Sequence, residues 1–345
     1  MLKAAVLGAT GNVGQIFVQL LNGHPWFKVS AVAASERSTE RTYSEAAKWR
    51  QQTPIPEGVA DLDVVAIEPK AIKDVDVVFS ALPADVAGKT EENFAKAGYV
   101  VVSNASAHRM DPDVPMLNPE INCGHVSLIE EQRRKRKWDG AIVTNPNCST
   151  SVLTLPLKPI YDEFGINKVV VSTMQAISGA GYPGVPSLDI VDNVIPFIGK
   201  EEEKLETETL KILGSPSEPA DFKVSASCHR VPTLDGHMEA VFVELKREAE
   251  PESVAAAMEN FVGEPQKLKL PTAPEKPVVV RREEDRPQTR LDRMEGNGMS
   301  VVVGRVRKDP AFRGVKFVAL GHNTIRGAAG CGVLNAEYLK AKKFI

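Results

Sequence analysis

The segment Gly8-Ala9-Thr10-Gly11-Asn12-Val13-Gly14 constrains this chain more than any other. It follows a short apolar run, Ala4-Ala5-Val6-Leu7, and opens a stretch through Leu21 whose apolar residues recur at helical spacing. Glycines between a buried strand and a helix permit a tight turn. They also let a pyrophosphate approach the backbone, where the helix N-terminus holds its charge. The same plan continues downstream. Residues 27–34 and 75–82 read as strands, 84–97 as a helix, and 100–102 and 141–143 as further strands ended by turn-forming residues. Continuous apolar strands alternating with helices imply an α/β fold with a doubly wound parallel sheet covered on both faces.

After about residue 147 the texture changes. Residues 168–177, 223–231, 238–247, 298–306 and 314–320 are strands rich in Val, Ser and Thr, separated by two or three helices. This pattern indicates a mostly antiparallel α+β domain. Residues 327–339 are helical again, which predicts a return to the first domain. Two domains also suit a length of 345 residues at roughly 150 per domain.

Composition removes several function classes. Lys and Arg total 42 against 45 Asp and Glu, so the chain lacks the basic excess of a nucleic-acid binder. The basic run Arg133-Arg134-Lys135-Arg136-Lys137 follows Glu130-Glu131 and reads as the solvated face of a helix. No stretch reaches the ~18 apolar residues of a membrane span, and the apolar start ends at Leu7, too short for a signal peptide. The four cysteines, at 123, 148, 228 and 331, form no CxxC pair, so neither a disulfide framework nor a metal site is expected. A reduced, cytoplasmic protein follows.

The end of the second strand, Ala34-Ser35-Glu36-Arg37-Ser38, bears on the dinucleotide. An acidic residue there binds a ribose 2′-hydroxyl, whereas Arg accommodates a 2′-phosphate. Arg37 between Ser35 and Ser38 favours NADP, with Glu36 turned away.

Asn145-Pro146-Asn147-Cys148-Ser149-Thr150 joins a strand to a helix, and Asn147 suits the N-cap. Cys148 then sits in the first helical turn, where the helix field favours a thiolate and makes it more reactive than a thiol with pKa about 8.5. The competing reading is a small buried core residue. Two histidines are candidates for its partner: His237, which follows Gly236 at a strand start, and His229, beside Cys228. These residues alone leave the choice open.

Five segments occur in the order found in aspartate-semialdehyde dehydrogenases. They are the Gly8–Gly14 loop, Ser103-Asn104-Ala105-Ser106-Ala107-His108-Arg109-Met110, the Asn-Pro-Asn-Cys turn, Gln175-Ala176-Ile177-Ser178-Gly179-Ala180-Gly181, and Asn323-Thr324-Ile325-Arg326-Gly327-Ala328-Ala329-Gly330. The chain resembles the archaeal and fungal branch of that family from end to end. The resemblance implies a Rossmann-type NADP-binding domain over 1–147, completed by 327–345, and a catalytic and dimerisation domain over 148–326. It implies reversible, NADP-dependent reductive dephosphorylation of L-aspartyl 4-phosphate to L-aspartate 4-semialdehyde, on the route to lysine, threonine and methionine, by a homodimer or homotetramer.

Carried over residue by residue, Cys148 is the nucleophile, Gln175 orients the acyl group and His237 is the acid/base. His237 stands seven residues after Arg230, the family's spacing, which decides against His229. Arg230 pairs with the substrate α-carboxylate. Glu201 faces the α-amino group, with Glu202 or Glu203 as the alternatives by one position, and Lys204, Arg109 and Asn147 surround the phosphate. Gly8, Thr10, Gly11, Asn12, Val13, Gly14, Ser35, Arg37, Ser38, Ser178, Gly179 and Asn323 hold the cofactor. The expected mechanism is acylation of Cys148, hydride transfer to the thioester, and protonation by His237, whose ordinary pKa of about 6.5 suits both acid and base roles. Two other readings stand beside this one. Malonyl-CoA reductases of some archaea resemble the same branch and share thioester chemistry. A silent NADP-binding sensor would be expected to lose the cysteine or the histidine, and both remain.

Overall fold

Six short apolar strands assemble into the first sheet of the computed structural model, which describes residues 1–345. They are β1 (Leu2–Leu7), β2 (Phe27–Ala34), β3 (Val64–Ala66), β4 (Val77–Ser80), β5 (Val100–Ser103) and β6 (Ala141–Thr144). Their order is β3-β2-β1-β4-β5-β6, and every pairing is parallel. Side chains alternate across a strand, so β1 sends Ala4 and Val6 into one core with Phe17, and Ala5 and Leu7 into another with Phe94. Two buried faces explain why the strands read as continuous apolar runs. The longer helices of this half are α1 (Asn12–Leu21), α2 (Ala84–Lys96) and α3 (Leu128–Arg136).

The loop before α1 needs its glycines for packing. Gly8 has φ +71°, and a Cβ there would lie 2.8 Å from the Ala81 carbonyl oxygen; at Gly14 a Cβ would overlap the carbonyl oxygen of Gly8. The basic run on α3 departs in part from a uniformly solvated face. Arg133 and Lys135 pair with Glu130 and Glu131 of the same helix, but Arg136 folds back onto Asp111 and Asp113 and over Trp138.

The second half is built on α4 (Cys148–Phe164) and a mixed sheet. Its strands are β7 (Ile166–Gln175), β8 (Lys223–Arg230), β9 (His237–Leu245), β10 (Val278–Arg281), β11 (Val301–Lys308) and β12 (Gly314–Gly321), ordered β10-β11-β12-β9-β7-β8. Only β7–β8 and β10–β11 are parallel. Val152 and Leu155 of α4, Leu205 and Ile212 of α5 (Glu201–Leu213), and Val254 and Met258 of α6 (Pro251–Glu259) cover one face. On β9 that face takes His237, Glu239, Val241, Val243 and Leu245, while Met238, Ala240, Phe242 and Glu244 on the other face are half-buried. The sequence does not announce β3 and β10, which are three and four residues long.

The chain ends in a π-helical turn, Ile325–Ala329, and α7 (Gly330–Ala341). Ala329, Val333, Ala336 and Leu339 pack into the core around β1. The C-terminal segment therefore packs on the first sheet although the second sheet immediately precedes it.

Candidate active site

β6 ends at Thr144, and the turn after it delivers Cys148 to the start of α4. The Asn147 side-chain oxygen accepts from the N–H groups of Ser149 at 2.9 Å and Thr150 at 3.2 Å, capping the helix. Facing it is His237, placed at the head of β9 by Gly236 with φ +97°. Its Nε2 lies 3.2 Å from the Cys148 sulfur, and its Nδ1 accepts from the Ala176 N–H at 3.1 Å. His229 makes no such contact: its Nδ1 lies 3.2 Å from the Thr173 carbonyl oxygen. Two glycines seal the pocket. A Cβ at Gly179 would lie 2.8 Å from Arg230 Nη1 and 3.2 Å from His237 Cε1, and one at Gly327 would lie 2.6 Å from the Cys148 Cβ.

Charges from three segments act on Cys148: Arg230 from β8, Glu201 from α5 and Arg109 from the loop after β5. Arg230, at the end of β8, donates from Nη1 to the Ala176 carbonyl at 2.6 Å. Gln175, buried at the end of β7, donates to Thr173 Oγ1 at 3.3 Å. Glu201 opens α5, accepts from Asn147 Nδ2 at 2.5 Å and pairs with Lys204 at 3.1 Å. Its neighbours point elsewhere: Glu202 accepts from the Cys228 N–H at 3.0 Å, and Glu203 is exposed. Arg109 is buried and tied to Glu208 at 3.0 Å and to the Asn104 carbonyl at 2.9 Å.

Three participants were not anticipated. Glu208 accepts from the Asn147 N–H at 2.5 Å and so links Arg109 to the head of α4. Glu239 is fully buried, and neither carboxyl oxygen has a hydrogen-bond partner. The main chain of Ala176 holds both His237 and Arg230. The spacing carried a signal for two of them, since Glu208 follows Glu201 by two helical turns and Glu239 follows His237 by one strand period.

Burial reverses two expectations about ionisation. It pushes the Cys148 thiol up to about 12, with Glu201 adding to the effect and Arg109 and Arg230 opposing it. It pushes the His237 imidazole down to about 3, reinforced by Arg230 and then His322. Both shifts favour the neutral forms of the pair, against the thiolate that the helix N-terminus alone would favour. Glu239 is held well above the usual carboxylate range by burial; the Ser149 hydroxyl opposes this and the Glu201 charge adds to it.

The loop before α1 offers main-chain N–H groups of Thr10, Asn12, Val13 and Gly14 that have no acceptor within the protein. Ser35 and Arg37 are exposed just after β2, with Ser38 half-buried beside them, and Arg37 makes no ion pair. Unpaired donors at a helix start and a free guanidinium fit a dinucleotide with a 2′-phosphate. Asn323 donates to Ser178 Oγ at 2.8 Å and accepts from the Gly236 N–H at 2.8 Å, tying the glycine turn to the head of β9.

Two family descriptions match this chain: "Semialdehyde dehydrogenase, NAD binding domain" over residues 3–129, and "Semialdehyde dehydrogenase, dimerisation domain" over 157–326. An aspartate-semialdehyde dehydrogenase of Methanothermobacter thermautotrophicus is 58% identical, across 98% of this chain and 99% of that one. A malonyl CoA reductase (NADP) of Metallosphaera sedula is 46% identical, across 100% of this chain and 98% of that one. The crystal structure of aspartate semialdehyde dehydrogenase with NADP from Candida albicans superposes with a TM-score of 0.93 at 43% identity, over 100% of both chains.

Proposed function

This chain belongs to the aspartate-semialdehyde dehydrogenase family, and we propose that Cys148 is the nucleophile through which it reduces L-aspartyl 4-phosphate to L-aspartate 4-semialdehyde. The enzyme is an NADP-dependent oxidoreductase of amino-acid biosynthesis, on the route to lysine, threonine and methionine. The observation that carries the reading is the 3.2 Å contact between the Cys148 sulfur and His237 Nε2 at the head of a capped helix. His237 sits beside the sulfur, where the oxygen of an adduct on Cys148 would also need a partner. The N–H groups at the start of α4 suit the oxyanion, and Gln175 orients the acyl group.

The substrate carries a carboxylate, an ammonium and a phosphate. Arg230 answers the carboxylate, Glu201 the ammonium, and Lys204, Arg109 and Asn147 the phosphate. Gly8, Thr10, Gly11, Asn12, Val13 and Gly14 would cradle the dinucleotide, with Ser35, Arg37 and Ser38 at its 2′-phosphate and Ser178, Gly179 and Asn323 near the pocket. Bound NADPH supplies the hydride.

The division at 147/148, with 327–345 returning to the first domain, separates cofactor from acyl chemistry. The match to a dimerisation domain supports a homodimer or homotetramer, and no helix is long and apolar enough to cross a membrane, in keeping with a cytoplasmic enzyme. The second reading is reduction of malonyl-CoA, which the relative of that name supports. Glu201 favours the first reading, because its carboxylate, held by Asn147 and Lys204, offers a partner to an ammonium that a malonyl group lacks.

The test is oxidation of L-aspartate 4-semialdehyde with NADP in phosphate buffer, followed by NADPH absorbance, beside reduction of malonyl-CoA by NADPH. Phosphate-dependent NADPH formation is expected. Its absence overturns the proposal, and turnover of malonyl-CoA alone establishes the second reading.

A further inference from the structure

One face of α5 carries Glu201, Lys204, Glu208 and Lys211, which recur three and four residues apart. The function proposed above uses the first two, and Glu208 bonds Arg109 and the Asn147 N–H. Lys211 has no part in it, yet its ammonium is the most fully engaged of the four. It donates to three main-chain carbonyls of the loop after β5: Arg109 at 2.6 Å, Asp111 at 2.8 Å and Val114 at 3.2 Å. The carbonyls of Arg109 and Val114 have no other donor in the protein. An ammonium has three donors and no acceptor, so three convergent oxygens use it completely. The loop leaves the first sheet whereas α5 covers the second, so the contact joins the two halves of the chain.

Arg109, whose carbonyl Lys211 holds, is also the residue whose guanidinium is assigned to the phosphate. Its side chain is gripped as well: Nη1 donates to Glu208 at 3.0 Å and Nη2 to the Asn104 carbonyl at 2.9 Å. Nε is left buried with no acceptor, a spare donor for a phosphate oxygen. The charge reaches the nucleophile, since Arg109 favours the Cys148 thiolate.

We propose that Lys211 is a positioning residue for the phosphate: by drawing three carbonyls onto one ammonium it fixes the loop after β5 and holds the Arg109 guanidinium in place for the phosphate. The inference rests on the phosphate role given to Arg109. Lys211 acts through Arg109 and needs no contact with the substrate. Burial pushes the Lys211 ammonium down to about 8, while Asp111, Asp113 and Glu208 hold it up. Arg136 of α3 binds both aspartates, and His125, which also feels Lys211, is pushed down by burial and is neutral in this range. The clamp is therefore intact below about pH 8 and loses its charge and one donor above it.

The test follows initial rates of L-aspartate 4-semialdehyde oxidation by the whole protein with NADP, with phosphate as the varied substrate. Lys211→Met fills the same space without a donor. It should raise KM for phosphate on the order of tenfold and leave KM for NADP unmoved. Arg109→Met should raise KM for phosphate too, and the double variant should be no worse than Arg109→Met alone, because nothing is left to position. A wild-type KM for phosphate in Lys211→Met overturns the proposal, and so do losses that multiply in the double variant. If Lys211→Met does not fold, the wild type decides by itself. Its KM for phosphate should climb from about pH 7.5 to about pH 9.5, and a flat profile overturns the clamp. An Arg109→Met enzyme with the wild-type KM for phosphate would overturn the role given to Arg109 instead. A wild type that forms NADPH without phosphate would overturn the assigned function, a third and separate result.

Discussion

Glu239 lies one strand period beyond His237 on the buried face of β9, and no cation or main-chain group bonds its carboxyl. Burial holds it well above the ordinary range, so the folded protein carries it as a neutral acid. In the unfolded chain it ionises near pH 4.3. Stability is therefore full below about that pH and falls as pH climbs toward the raised folded value. Glu239→Gln keeps the neutral shape and removes the loss. We expect the variant to gain on the order of 2 kcal/mol at pH 8 and little at pH 4, read from urea unfolding at both. A gain equal at both pH values would mean that the carboxyl is not the cause. Arg230 makes the second residue-scale prediction. Its guanidinium holds the Ala176 carbonyl with one nitrogen and has others left for a carboxylate, whereas a lysine must choose between them. Arg230→Lys should lose about 2–3 kcal/mol in kcat/KM for aspartyl phosphate, and steady-state rates that match the wild type would remove Arg230 from the site.

At the scale of elements, the head of α4 is where capping and chemistry meet. Asn147 satisfies two helix N–H groups and donates to Glu201, so Asn147→Ala should cost about 1–2 kcal/mol of unfolding free energy and loosen the Glu201 carboxylate. A urea midpoint unchanged from the wild type would contradict the cap. This element was legible beforehand, because a strand, an Asn turn and a helix leave a local pattern. The first sheet was legible for a similar reason, since β1 alternates into two cores and must be apolar from Ala4 to Leu7. β3 and β10 were not: each lies at a sheet edge with a single buried residue, whereas the equally short β4, β5 and β6 are buried throughout. The ionisation of the pair was also misread. The helix start speaks for a thiolate from sequence alone, but the burial and the Glu201 charge that oppose it come from segments distant in the chain, among them Gly327 packed against Cys148. Nor does a sequence reveal that the N–H of Ala176 meets a ring 61 residues away.

Taken whole, the molecule packs its last segment back onto the first sheet, and that return fixes the turn before Cys148. Asn335 on α7 donates to Asn145 Oδ1 at 2.8 Å, and Asn145 in turn donates to the Ala328 carbonyl at 2.9 Å. Between them runs the π-helical turn, anchored by Arg326, which is fully buried and bonded to both oxygens of Glu120 and to Asn118. The same turn presses Gly327 against Cys148, so the ion pair and the nucleophile share one rigid support. A buried pair stabilises weakly against an apolar substitute, yet removing one partner leaves an uncompensated charge. Glu120→Ala should therefore cost about 3–5 kcal/mol and lower activity with it, because the turn behind Cys148 loses its anchor. Arg326→Met in the Glu120→Ala background removes the stranded charge and should recover much of the loss in unfolding free energy. Measuring both singles and the double by urea unfolding isolates the coupling. Additive losses would show that the two residues do not act as a pair and that α7 is held in place by its apolar face alone.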